Sequence, residues 1–68
     1  MITNKQWYYF RYTPPGGWVH MATIPSLVPV TALDPLLVST APPGTLQIHR
    51  GLYDHNRNAY DHWVRVSG

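Results

Sequence analysis

The 68-residue chain contains no cysteine and no glutamate, and little charge of either sign. Without cysteine it has no disulfide and no thiolate metal site. A domain this small then holds together by packing, by association or not at all. The lack of thiols also fits a reducing compartment. Without glutamate the carboxylates are Asp34, Asp54 and Asp61, in turn-like or polar contexts, and Asp34 precedes a proline. Ser26, Ser39 and Ser67 have no strand-to-helix nucleophile elbow around them. Gly16-Gly17 leads into a strand-like run rather than a helix N-terminus, so it does not build a phosphate loop. Catalysis is therefore not expected, and no catalytic residue, cofactor or metal site is assigned. No apolar run approaches the roughly 18 residues of a membrane span. Met1-Ile2-Thr3-Asn4-Lys5 lacks the basic start and apolar core of a signal peptide. The expected setting is the cytoplasm or the interior of a larger particle, without membrane contact.

Basic residues are also scarce. The net charge of +2 comes from five Lys and Arg against three Asp, with four histidines neutral. Phosphate contacts normally come from a clustered basic stripe, and none is present. Between Tyr12 and His49 the only formal charge is Asp34; the rest sit towards the two ends. A small monomer normally intersperses its charges. The long uncharged middle reads either as core plus neutral loops or as a surface covered by a partner or by another copy.

What the chain does have is aromatics and turn residues. Gln6–Tyr12 carries five of the nine aromatic residues, and Trp18–Ile24 follows after Thr13-Pro14-Pro15-Gly16-Gly17. Aromatic and β-branched side chains fit a pleated, half-buried surface. Pro15-Gly16 suits the central pair of a type II turn, so this stretch predicts a β-hairpin. Both faces of its first arm are aromatic, so the pattern does not choose which face goes inside. The next run, Pro25 to Pro35, holds three prolines, which argue against a long helix or a central strand. It reads as a short edge strand at Val28–Leu33, an extended apolar strap or, less well because Pro25 and Pro29 are four apart rather than three, a proline-rich docking ligand. Leu36–Thr40 reads as a buried strand.

Pro42-Pro43-Gly44 repeats the earlier turn chemistry, and Leu46–Tyr53 and Ala59–Val66 read as a further hairpin about Asn56-Arg57-Asn58. In that hairpin Leu46, Ile48 and Leu52 share a face with Val64 and Val66, and Trp63 lies over Gly51 on the other. Tyr53-Asp54-His55 recurs as Tyr60-Asp61-His62. Strand neighbours point to opposite faces, so this repeat does not assemble a metal site, and no zinc-ligand spacing occurs.

The expected fold is all-β: a small antiparallel sheet or partly open barrel of five to six short strands built from hairpins. It would span 1–68 as one domain, with 1–5 and 67–68 as flexible ends. The expected function is a non-enzymatic protein-interaction module, oligomeric or docked on an assembly. A decoration subunit or a small virus-encoded inhibitor would be of this kind. The candidate partner-binding residues are Trp7, Tyr9, Arg11, Trp18, Leu27, Val28, Val30 and Leu33, since aromatics and arginine dominate interface energies. The alternative is single-stranded nucleic acid stacking on the aromatic arm, with Lys5, Tyr8, Phe10 and Tyr12 as contacts.

Overall fold

Two hairpins and one helix make up residues 4–68, which are the residues described by the computed structural model. In order the elements are β1 (Lys5–Thr13), β2 (Gly17–Pro25), α1 (Val30–Ser39), β3 (Gln47–Asp54) and β4 (Ala59–Ser67). The strands form one antiparallel sheet in the order β2-β1-β3-β4, so each hairpin contributes a central strand and an edge. The all-β expectation holds at the level of class. Among the described residues the count is four strands rather than five to six, and of the two expected forms it is the open antiparallel sheet.

Both predicted hairpins form. In the first, the Pro14–Pro15 peptide bond is cis. The positive φ falls on Gly17 (85°), where glycine carries no Cβ penalty, rather than on Gly16. In the second, Asp54 folds the turn: its carboxylate accepts from the Asn56 amide at 2.9 Å, and Asn58 supplies the positive φ (53°). The central ladder continues past the strand ends. The Leu46 amide donates to Tyr12 at 3.2 Å, and the His55 amide donates to Asn4 at 3.0 Å. Of the ends expected to be flexible, Lys5 lies in β1 and Ser67 in β4; residues 1–3 lie outside the described residues.

The middle of the chain corrects the sequence expectation. Val28–Leu33 is neither an edge strand nor a strap, and Leu36–Thr40 is not a buried strand. Together they form the turn into α1 and the helix itself. Pro29 stands just before the first helical residue, where no amide hydrogen is required. Pro35 lies inside the helix at the cost of one backbone bond. The helix has no side-chain N-cap, no acid in its first turn and no base in its last. At its C-terminus the Ser39 and Thr40 hydroxyls donate to the Leu36 and Leu37 carbonyls at 2.9 and 3.3 Å, but its N-terminus contributes little, and the helix is held from outside.

The hold comes from the sheet. Tyr9 on β1 is fully buried, and its hydroxyl donates to the Asp34 carboxylate and, at 3.5 Å, to the Val30 carbonyl. Arg50 is opposite Tyr9 on β3 and places Nη1 2.7 Å from the other Asp34 oxygen. Its guanidinium also lies 5.1 Å from the centre of the Trp7 ring. Among the described residues, Tyr9 and Ile48 are the fully buried large side chains, which is a thin core for 68 residues.

Candidate functional site

With α1 on one face of the sheet, the other face is uncovered, and the strand registers decide what it shows. Tyr9, Trp7 and Arg11 share the helix side with Arg50, Leu52 and Ile48. The opposite parity of β1, Tyr8, Phe10 and Tyr12, shares the open side with Gly51, His49 and Gln47. On the edges, the same side receives Trp18 and His20 from β2, and Tyr60, Trp63 and Arg65 from β4.

Two bulges assemble this face. The β1–β2 register shifts between Tyr9 and Phe10, which brings His20 and Thr23, three apart, to one side. Their side chains meet at 2.7 Å. The β3–β4 register shifts between Leu52 and Tyr53, so Tyr60 and Trp63 also share a side, with ring centroids 5.1 Å apart. An unbroken strand alternates its side chains; the extra residue of a bulge resets that alternation.

The result is a continuous layer of rings. Trp63 packs against Phe10 (5.8 Å), Trp18 (5.7 Å) and Tyr60, and stacks on His49 at 5.7 Å with planes 27° apart. Tyr12 extends the layer through Trp18 at 5.0 Å, and Tyr8 extends it the other way through Tyr53 at 5.7 Å. Gly51 makes room for it. A Cβ there would run into the Trp63 indole and come within 2.5 Å of Tyr60 Cδ1. Trp18, Tyr60 and Trp63 remain 50%, 44% and 43% exposed. With Phe10 they line a depression of about 410 Å³.

The formal charges lie almost wholly elsewhere. Each carboxylate has a cation: Asp34 has Arg50, Asp54 has Arg57, and Asp61 has Lys5 at 2.7 Å as well as Arg57. The hydrogen bond to Asp61 holds the Lys5 ammonium above its ordinary range and the Asp61 carboxyl below its own. The net +2 then rests on Arg11 and Arg65, which make no ion pair among the described residues. Arg11 lies on the helix side and lines a second depression, of about 330 Å³, with Pro14, Pro15, Pro42 and Pro43. The two Pro-Pro-Gly breaks thus meet at one end of the sheet. Among the described strand residues Arg65 is the one fixed charge on the open face, opposite His49. Burial lowers the His49 pKa, and the nearby Arg65 lowers it further. His49 Nε2 meets Gln47 at 2.9 Å, and its buried Nδ1 has no partner.

The sequence-predicted site residues do not form one surface. Tyr9 is core, because its hydroxyl is committed to α1. Trp7 and Arg11 are half-buried on the helix side, and Trp7 also packs its ring edge-on to His62 at 6.3 Å. Leu27 and Val28 are exposed in the turn before α1, while Val30 and Leu33 are half-buried within it. Trp18 alone of that set joins the open face. Of the nucleic-acid set, Tyr8, Phe10 and Tyr12 lie on the open face, and Lys5 is on the other side with Asp61. The reading from sequence omitted Tyr60, Trp63, His20 and His49. The signal for Trp63 was the glycine opposite it; His20 and Tyr60 follow in register from their turns, and His49 pairs with Phe10 on the central ladder.

Among the described residues no group of three or more histidines and carboxylates is placed to hold a metal, and no helix is long and apolar enough to cross a membrane. Comparison with protein-family models, curated proteins and solved structures finds no match for the chain.

Proposed function

We propose that this chain is a non-enzymatic protein-interaction module that binds through the open, aromatic face of its sheet. The observation that carries the reading is the half-exposure of Trp18, Tyr60 and Trp63 around Phe10 in one layer, with no carboxylate among them. Large rigid rings release much apolar surface at little entropic cost when covered, which is why tryptophan and tyrosine dominate interface energies. A monomer seldom exposes such a patch without a use for it. The single fixed charge of the face, Arg65, lies beside the depression and does not line it, so docking on the rings need not bury a charge.

Single-stranded nucleic acid is the second reading. It is favoured by the exclusion of all three carboxylates from a face that carries Tyr8, Phe10 and Tyr12 on a central strand. Against it, Arg65 is the only fixed cation there, and a backbone-tracking groove needs several.

Purification from the native source tests the proposal. The wild-type chain should retain a stoichiometric protein partner, another copy or a different chain, and Trp18→Ser and Trp63→Ser should release it while keeping the wild-type circular dichroism. A chain that retains no protein, yet binds an oligothymidylate with steep salt dependence, would overturn it in favour of the second reading.

A further inference from the structure

We infer that the occupant of the open face is a second copy of this chain, packed sheet against sheet across a two-fold axis. The inference rests on the protein-docking reading above and names its partner.

Size and shape are the first argument. The Cα atoms span 40 × 24 × 14 Å, so the molecule is a slab one sheet and one helix thick. Its broad face is on the order of 1000 Å², and a standard stable interface takes about 800 Å² from each partner. Two sheets packed face to face stand about 10 Å apart, which is room for one interdigitated layer of side chains from each. The ring layer is such a half-core. It has an open depression of about 410 Å³ walled by the half-exposed Trp18, Tyr60 and Trp63 rings.

Charge is the second argument. A two-fold interface brings like residues together, so any cluster of one sign on the face opposes it. Here the face carries only Arg65, towards one end, opposite His49. An antiparallel arrangement of two copies puts the two Arg65 side chains at opposite ends of the interface. No carboxylate is buried, because Asp34, Asp54 and Asp61 are all engaged with cations away from the rings.

Stability is the third. A core whose fully buried large side chains are Tyr9 and Ile48 is thin even for a chain of this length, and cysteine-free domains of this size commonly gain their stability from association. A second copy supplies that layer without any other molecule.

Sedimentation velocity across a wide concentration range tests the inference, together with iodide quenching of tryptophan emission on either side of the midpoint. The purified 7.8 kDa chain should double in mass as concentration rises, and quenching should fall as Trp18 and Trp63 are covered. Trp18→Ser and Tyr60→Ser, both at half-exposed positions, should each weaken the dimer by about thirtyfold or more, the change expected of a central interface ring. A concentration-independent monomer overturns the inference, as does a dimer whose quenching is unchanged or which survives both substitutions. A monomer that holds a different protein through Trp18 and Trp63 overturns the second copy and leaves the docking reading standing. A monomer that binds only oligothymidylate overturns both.

Discussion

The Arg50 guanidinium and the Asp34 carboxylate meet at 2.7 Å across the gap between sheet and helix, with both side chains largely buried. Asp34 is the only charged residue of α1, and it also receives the Tyr9 hydroxyl. A helix without an N-terminal capping side chain, interrupted by Pro35, is thus fastened to the sheet through one carboxylate. Removing one partner strands a buried charge, which costs on the order of 3 kcal/mol. That is most of the roughly 3–5 kcal/mol such a domain commands. Asp34→Ala should therefore lose the helical part of the circular dichroism and most of the cooperative melt. Pairing it with Arg50→Met should recover part of the loss, and a double-mutant cycle from urea melts would read the coupling directly.

Tyr9 makes stability sensitive to alkali. Burial raises its pKa well above the ordinary tyrosine value of 10.0; the hydrogen bond and charge of Asp34 add to the rise, and Arg50 offsets part of it. Above about pH 10 the unfolded chain gives up this proton while the folded chain keeps it. The contribution of Tyr9 is thus fully present below that pH and declines as pH rises further. Tyr9→Phe should lower the melting temperature at neutral pH, by about 1–3 kcal/mol of stability for the lost bond to a charged group. It should also flatten the fall in stability between pH 10 and 11, measured by thermal melts in matched buffers.

His49 acts at the other end of the scale. Burial, and then Arg65, lower its pKa below the ordinary 6.5, and around it stand Trp18, Trp63 and Gln47. Between 6.5 and the lower folded value the unfolded chain binds the proton and the folded chain resists it. Its contribution is complete above about pH 6.5 and is lost as pH falls through the folded pKa. Thermal melts from pH 7.5 to 5 should show this decline, and His49→Gln should reduce its slope. An unchanged slope would remove His49 from the explanation.

Gly51 should not accept a side chain. The indole of Trp63 and the ring of Tyr60 occupy the space above it, so Gly51→Ala must push them outwards. The expected cost is about 1–3 kcal/mol, as for other overpacked sites. The tryptophan emission should shift to the red as Trp63 is lifted into water. A variant as stable as the parent, with unshifted emission, would mean that the ring layer is looser than its contacts imply.

The two hairpins were legible because their signals are local. Proline and glycine mark turns through their own backbone limits, and alternating aromatic and β-branched residues mark strands wherever they sit. Gln6–Tyr12 with Trp18–Ile24, and Leu46–Tyr53 with Ala59–Val66, therefore paired as expected, and even Trp63 over Gly51 followed from that register. The helix was not legible, because nothing within Val30–Ser39 specifies it. Its internal proline and uncapped N-terminus argue against a helix, and what holds it is a carboxylate bonded to residues 25 positions earlier and 16 later. The aromatic face depended on tertiary structure in the same way. A strand with aromatics on both sides carries no record of which side is covered. Tyr9 went inside because α1 settled over it, which left Tyr8, Phe10 and Tyr12 on the open side. An extra residue in β2 then turned His20 and Thr23 onto the same side, and an extra residue in β4 between Tyr60 and Trp63 did the same for that pair, against the alternation that a sequence displays.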